Sequence, residues 1–178
     1  MSEKKAEVKP SVGILIGSDS DFETIEETIK ILKHFKISHE LNVMSAHRTP
    51  HLVHDYVISA ADRGMDVIIA GAGGAAHLAG VVASLTPLPV IGIPMETQSL
   101  GGLDSLLSTV QMPGGIPVAT VAIGKAGARN AGILAAQILG VKDADIRLKV
   151  NEYKKNLALE VEKKNNDIRS RAALLPEK

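Results

Sequence analysis

The chain has 178 residues, with 20 basic and 20 acidic side chains and no formal net charge at pH 7. Hydrophobic residues make up 45% and charged residues 22%, which is typical of one globular domain rather than of a disordered chain. The absence of cysteine excludes disulfides, thiolate metal sites and cysteine nucleophiles. Balanced charge, with two Phe, two Tyr and no Trp, argues against a nucleic-acid surface or a stacked flavin.

Neither end of the chain carries a membrane signal. No apolar run approaches the roughly 20 residues that span a bilayer. The first ten residues are charged and lack the apolar region of a signal peptide. We therefore expect a soluble cytoplasmic protein that binds no membrane, with a flexible N-terminus over residues 1–10.

Short apolar runs alternate along the chain with segments that have one apolar helical face. The predicted strands lie at 12–16, around 41–43, and at 67–70, 90–93 and 118–122. The predicted helices lie at 21–35, 50–60, 103–110, 126–139 and 143–166, with a short one ending near 85. Strands that are apolar on both faces and alternate with helices predict a parallel sheet covered on both sides. The fold class is thus a doubly wound α/β protein, a three-layer α/β/α sandwich.

We expect a single domain over residues 1–178, with its α/β core at 12–140 and a tail at 167–178. The helix at 143–166 is different, because a narrow apolar stripe runs along an otherwise charged surface. The stripe consists of Ile146, Val150, Tyr153, Leu157 and Val161. Such a seam is consistent with docking on another subunit and with packing on its own domain, and periodicity leaves both open.

Polar or glycine-rich clusters follow each of the first three predicted strands. They are Gly17-Ser-Asp-Ser-Asp21, Ser45-Ala-His-Arg48 and Gly71-Ala-Gly-Gly74. In open parallel sheets, ligands bind beyond the carboxyl ends of the strands, near the point where strand order reverses. With the flavodoxin-like order 2-1-3-4-5 these loops surround one crevice, so we expect a single binding site there.

His47 and Arg48 are the strongest candidates for chemistry in these loops. Arg48 offers a forked donor suited to phosphate or carboxylate, and a histidine can exchange protons near neutral pH. The alternative is that His47 caps the next helix together with Thr49. The serines and aspartates at 18–21 are likewise consistent with helix capping alone.

Two other interpretations remain open at this stage. Gly71, Gly73 and Ala76 satisfy a G-x-G-x-x-A pattern before a helix, and the acidic Glu96 follows twenty residues later, as in dinucleotide-binding sites. His51, His54 and Asp55 are helical neighbours and could be metal ligands, but no H-E-x-x-H pattern is present, and an exposed helix start is the favoured explanation.

Taken together, four segments resemble the PurE family. They are Gly17-Ser-Asp-Ser-Asp21, Ser45-Ala-His-Arg-Thr-Pro50, Gly71-Ala-Gly-Gly-Ala-Ala-His-Leu78 and Gln111-Met-Pro-Gly-Gly-Ile-Pro117. The similarity runs from about residue 12 to 140 with the segments in the family's order and spacing. The branch that carboxylates aminoimidazole ribonucleotide directly typically has Lys after the loop histidine and a different third loop. Arg48 and the Gly-Gly-Ala-Ala-His run therefore favour the N5-carboxyaminoimidazole ribonucleotide mutase branch.

The resemblance implies an isomerase of purine biosynthesis that uses no metal or organic cofactor and assembles as a homo-octamer. It implies that His47 transfers the proton and that Ser18, Asp21 and Arg48 bind the phosphoribosyl substrate. It also implies that the other substrate contacts come from Ser45 and the third loop, namely Ala72, Gly73, Gly74, Ala75, His77 and Leu78. The alternatives are direct carboxylation by carbon dioxide and a non-catalytic module that binds phosphoribosyl compounds.

Overall fold

Five parallel strands form the centre of the computed structural model, which describes residues 9–174. They are β1 (Val12–Ile16), β2 (His39–Val43), β3 (Val67–Ala72), β4 (Val90–Pro94) and β5 (Ala119–Thr120). Their order in the sheet is β2-β1-β3-β4-β5, as predicted, and every neighbouring pair is parallel. The sheet order reverses between β1 and β3, so the crevice that follows from this topology lies beside the carboxyl ends of these two strands.

The connections between strands are helical. The helices are α1 (Phe22–His34), α2 (Pro50–Ala60), α3 (Leu78–Leu85), α4 (Leu103–Val110), α5 (Gly124–Leu139) and α6 (Ala144–Ala172), and a 3₁₀ turn at Asp19–Asp21 precedes α1. Buried residues of α1, α5 and the start of α6 pack on one face of the sheet, and those of α2 and α3 pack on the other. The predicted three-layer α/β/α sandwich is therefore confirmed.

Small residues let α5 approach both the sheet and α1 closely. Ala128, Ala131 and Ala135 are completely buried against the sheet. A Cβ on Gly132 would lie 2.8 Å from Cγ2 of Ile31, so only glycine fits there without movement of α1. The buried hydroxyl of Thr28 on α1 donates to the Ala128 carbonyl at 2.7 Å. Close packing on α5 holds α1 in place, and the loop directly before α1 borders the site described below.

The edge strand β5 is shorter than its apolar run predicts. Regular pairing with β4 covers only Ala119 and Thr120, although the Val121 amide still donates to the Gly92 carbonyl at 3.1 Å. An edge strand has one pairing partner, and this one turns away at once to begin α5. The predicted boundaries at 118 and 122 are therefore too wide.

The last helix is longer than predicted. It continues through Ala172, so the first part of the predicted tail at 167–178 is helical. No glycine or proline interrupts this part of the chain to end it at 166. Val150 is buried and Ile146 and Tyr153 pack on the core, whereas Leu157 and Val161 are exposed. The predicted seam thus packs on its own subunit in its first half only.

Part of the predicted flexible N-terminus, residues 1–8, and the end of the predicted tail, residues 175–178, lie outside the described residues. Over the described part of the chain, no helix combines the length and the apolar character needed to cross a bilayer.

Candidate active site

A cavity of about 600 Å³ opens where the loops after β1, β2, β3 and β4 meet. Its lining combines hydroxyl, carboxylate, imidazole and guanidinium groups with small apolar side chains. The lining residues are Gly17, Ser18, Ser20, Asp21, Ser45, Ala46, His47, Arg48, Ala72, Gly73, Ala75, His77, Leu78, Met95, Glu96 and Thr97. The cavity lies at the carboxyl end of the sheet, where the topology predicts a ligand site.

The structure brings together all the predicted site residues except Gly74. Ser18 and Asp21 come from the first loop, Ser45, His47 and Arg48 from the second, and Ala72, Gly73, Ala75, His77 and Leu78 from the third. Gly74 does not line the cavity. Its backbone N–H donates to the hydroxyl of Ser105 on α4 at 2.9 Å, so that N–H is not directed at a ligand.

Backbone and side-chain hydrogen bonds within the second loop hold it in one conformation. The Ser45 amide donates to the Thr49 hydroxyl at 3.0 Å, and the Thr49 amide donates to the Ser45 carbonyl at 2.9 Å. Thr49 is the N-cap of α2, but its side chain makes no capping bond. The alternative in which His47 and Thr49 serve only as a helix cap is therefore wrong. The closed turn instead projects His47 and Arg48 into the cavity.

The side chain of His47 contacts that of a second histidine, which also lines the cavity. Its Nε2 lies 2.9 Å from Nδ1 of His77, and the two rings meet edge to face with centroids 5.0 Å apart. One of these nitrogens has to donate and the other to accept, so the two rings share a single proton along this bond. Both side chains are exposed to the cavity. The pair can therefore pass a proton to or from a bound molecule.

Arg48 is held by the backbone of the first loop. Its guanidinium donates to the Gly17 carbonyl at 2.9 Å. Among residues 9–174, no carboxylate lies within ion-pair distance of this side chain. The contact with Gly17 uses one of the five guanidinium N–H donors, so a forked pair remains available for an anion.

The first loop presents hydroxyls beside a carboxylate with an unusual pKa. Ser18 caps the 3₁₀ turn, accepting from the Ser20 amide at 3.4 Å and from the Ser20 hydroxyl at 2.9 Å. Asp21 precedes α1 and makes no capping bond. Burial raises the pKa of the Asp21 carboxyl above its usual 3.8, hydrogen bonding with Ser18 and Ser20 opposes this, and nearby Asp19 adds to it. Ser18 is thus a cap as well as a lining residue, whereas Asp21 is free to meet a ligand.

Three further lining residues are Met95, Glu96 and Thr97, of which the sequence pattern indicates only Glu96, and in the dinucleotide interpretation. They follow β4 directly, so the same rule about strand ends that selects the first three loops also applies to them. Thr97 is fixed to α4 because its hydroxyl donates to a carboxylate oxygen of Asp104 at 2.7 Å.

The dinucleotide interpretation of the third loop does not fit its geometry. The N–H groups of Gly74, Ala76 and His77 bond to Ser105, Gly74 and Ala75 respectively. These amides are therefore unavailable to cradle a pyrophosphate, which is the purpose of a glycine-rich fingerprint.

Two further motifs lie away from the cavity. His54 contacts the neighbouring Asp55 at 3.0 Å on the exposed side of α2, and no group of three or more potential metal ligands occurs among residues 9–174. Part of the segment 111–117, Gly115 to Pro117, lines a separate groove with the end of α3 and the start of β4. That segment therefore contributes to the resemblance without lining the cavity of the same chain.

A protein family, several named proteins and solved structures each align with most of this chain. The profile of the family described as AIR carboxylase matches residues 11–160. A protein of Thermotoga maritima named N5-carboxyaminoimidazole ribonucleotide mutase is 58% identical over 152 residues, covering 85% of this chain and 88% of that protein. One of the same name from Bacillus subtilis is 55% identical over 149 residues, covering 84% and 92%. The crystal structure of Treponema denticola PurE superposes with a TM-score of 0.80 at 31% identity, covering 89% of this chain and 98% of that one.

Proposed function

This chain belongs to the AIR carboxylase family, and from that premise we propose that it catalyses the N5-carboxyaminoimidazole ribonucleotide mutase reaction of purine biosynthesis. The enzyme is an isomerase that moves a carboxyl group from the exocyclic nitrogen of the substrate to carbon 4 of its imidazole ring. It acts on a small phosphorylated molecule, and a single domain carries the site.

One observation carries this proposal most directly. The first three segments that identify the family meet at one cavity, and there His47 and His77 are in contact at 2.9 Å, with Arg48 in the same wall. A paired imidazole supplies a proton-transfer group. An arginine without an acidic partner supplies an anchor for phosphate. The reaction requires both of these functions and no metal ligand.

The polar and the small residues of the cavity have different tasks. Arg48 binds the phosphate, and Ser18, Asp21 and Ser45 hold the phosphoribosyl group by hydrogen bonds. Residues Ala72, Gly73, Ala75 and Leu78 form the small apolar wall that faces the migrating carboxyl group. Such a wall excludes water and keeps released carbon dioxide beside the ring. The phosphate anchor is remote from the reacting atoms, so its binding energy serves to position them.

The reaction balances with one imidazole and no added reagent. The bond from the exocyclic nitrogen to the carboxyl carbon breaks, carbon dioxide leaves, and the nitrogen takes a proton from the His47 imidazolium. Carbon 4 then attacks the carbon dioxide and forms the new carbon–carbon bond. Neutral His47 removes the proton from carbon 4 and restores the aromatic ring. The first step resembles that of a lyase, and the sum is an isomerisation.

We extend the proposal to assembly and location. Leu157 and Val161 on α6 are exposed, as are Leu103 and Leu107 on α4, and subunit contacts in a homo-octamer would cover such apolar surface. Light scattering would then give a mass eight times the 18.8 kDa of one chain. A cytoplasmic location is proposed because phosphorylated intermediates do not cross membranes unaided.

The deciding experiment is a pair of incubations without ATP. N5-carboxyaminoimidazole ribonucleotide is converted to its carbon-carboxylated isomer if the enzyme is a mutase. Aminoimidazole ribonucleotide with bicarbonate at the same concentration should react far more slowly. A faster reaction in the second tube would establish a carboxylase, the activity for which the family is described. Binding without turnover in either tube would establish a non-catalytic module and overturn the proposal.

A further inference from the structure

Helix α4 buries two hydroxyl-bearing residues and leaves three of its apolar residues exposed. Ser105 and Thr109 are at most 2% exposed, whereas Leu103, Leu107 and Val110 are close to half exposed. Burial of hydroxyls beside a sheet carries a cost unless they form hydrogen bonds. The contacts of the buried face therefore indicate what α4 does in this subunit.

Two serines of that face hold one residue of the third loop from both sides. The Gly74 amide donates to the Ser105 hydroxyl at 2.9 Å, and the Ser108 hydroxyl donates to the Gly74 carbonyl at 3.2 Å. The single proton of the Ser108 hydroxyl is shared with the Asp104 carbonyl at 2.7 Å, so its contact with the Gly74 carbonyl is the weaker of the two. Ser105 and Ser108 are one helical turn apart, so both reach the same glycine.

Gly74 is a point at which the course of the third loop is determined. Its φ of +67° lies in the left-handed region that favours glycine. Its carbonyl also accepts the Ala76 amide at 2.8 Å, directly before His77. Because His77 lies three residues beyond Gly74 and bonds to His47, displacement of Gly74 changes the geometry of the histidine pair.

We propose that Ser105, assisted by Ser108, is a positioning residue for the reaction assigned above. Neither serine lines the cavity, so the effect is transmitted through Gly74 to His77. The inference rests on the proposed function for its kinetic part and on the geometry of the loop for its structural part. Loss of the Ser105 hydroxyl leaves the Gly74 amide without its partner and frees the loop to move.

The variant Ser105→Ala tests the proposal in the intact enzyme. We expect kcat to fall about tenfold, because misplaced proton-transfer groups slow chemistry, while KM changes less than about twofold, because Arg48 is untouched. The pH profile of kcat should also move, since that profile reports on the histidine pair. Ser108→Ala removes the weaker contact and should lower kcat about threefold. It keeps the test available if Ser105→Ala does not fold.

The matched control is Thr109→Val, which removes a buried hydroxyl from the same helix. That hydroxyl donates to the Ser105 carbonyl at 2.8 Å, within α4, and does not reach the third loop. We expect Thr109→Val to lower the free energy of unfolding and to leave kcat and its pH profile unchanged. An equal loss of kcat in Thr109→Val would show that general weakening of α4 explains the effect and would overturn the proposal.

Hydrogen exchange separates this proposal from the proposed function. Amide exchange in the segment 71–78 should quicken in Ser105→Ala and stay the same in Thr109→Val, whether or not the protein turns over any substrate. Unchanged exchange in Ser105→Ala overturns the positioning role. Absence of mutase activity in the unaltered enzyme overturns the proposed function, while faster exchange in the variant still supports the hold on Gly74.

Discussion

Two carboxylates near the start of α1 have opposite surroundings. Asp21 borders the cavity, and burial raises its pKa. Glu27 lies within α1, and Lys30 of the same helix at 2.8 Å and Arg129 of α5 at 2.6 Å lower its pKa to about 2. Asp21, directly before α1, thus has no cation within ion-pair distance, whereas Glu27 within α1 has two of them.

This difference distinguishes charged side chains that pair with one another on the protein surface from charged side chains that are available to a ligand in the cavity. On the α1 and α5 surface, Glu23 pairs with Lys125 and Glu27 with Arg129. At the cavity, within the part of the chain that the structure describes, neither Asp21 nor Arg48 has an oppositely charged partner within 4.0 Å. A bound phosphoribosyl compound would supply an anionic phosphate for Arg48 and hydroxyl donors for Asp21. The predictions below test this contrast, starting with the chemistry at the cavity.

The largest effect is expected from His47→Asn. Asparagine retains a hydrogen-bonding side chain near His77 but cannot transfer a proton, so kcat should fall about a thousandfold. Binding of aminoimidazole ribonucleotide, measured by calorimetry, should change little because Arg48 remains. His54→Asn is the matched control, since this histidine contacts Asp55 on the exposed side of α2. Full activity of His47→Asn would contradict the proton-transfer role.

A comparison of two arginines gives the next largest effect. Arg48→Gln should raise KM about a hundredfold, because a charge-assisted pair with phosphate is lost from a site that has no other free arginine among its lining residues. Arg129→Gln removes an equally exposed guanidinium, but one already paired with Glu27, and should leave KM unchanged. Steady-state kinetics of both variants decide the matter. Similar KM values for the two would refute the distinction between free and paired charges.

The third effect has opposite signs in binding and in stability. Asp21→Asn removes the carboxylate that we propose binds the ligand, and should raise KM about tenfold. It also removes a charge that burial disfavours, so the free energy of unfolding at pH 7 should increase. A raised carboxyl pKa means that the folded state binds more protons than the unfolded state as pH passes upward from 3.8 to the raised value. The wild type therefore loses stability over that interval.

Urea unfolding at several pH values measures this trade-off. The advantage of Asp21→Asn should be present at pH 7 and shrink as the pH falls through the raised pKa, because the wild-type carboxyl then becomes neutral as well. A variant that is less stable than the wild type at pH 7 would contradict the assignment of burial as the main cause.

Much of the fold could be predicted from local sequence, because apolar strands and helical stripes report directly on burial. β1 to β4 and all six helices occur where the pattern places them. The failures are the length of the edge strand β5 and the end of the last helix, α6. The length of β5 depends on how long it stays beside β4, and the end of α6 depends on the absence of a helix breaker rather than on contacts. Neither is encoded by a periodic pattern.

The candidate site was predictable for a different reason, namely that parallel strands end at one edge. That rule and the family resemblance together identify His47, Arg48 and Asp21. The contact between His47 and His77 joins residues 30 apart in sequence and requires the strand order. The contacts of Ser105 and Ser108 with Gly74 require, in addition, the orientation of α4, which its apolar stripe would place the other way round.

The smallest effect is expected from Glu27→Gln, which tests the paired side of the contrast. Its folded-state pKa of about 2 lies below the usual 4.5, so the folded state binds fewer protons than the unfolded state between these values. The wild type therefore has its full ion-pair contribution above pH 4.5 and loses it as the pH falls toward 2. Glu27→Gln should be less stable than the wild type at pH 7, because both ion pairs are lost. The difference should be small, since the pairs are exposed, and should disappear as the pH falls below about 2. The KM of Glu27→Gln should equal that of the wild type, because Glu27 lies outside the cavity lining. Urea midpoints that differ from the wild type by the same amount at every pH in this interval would show that Glu27 contributes by packing rather than by charge.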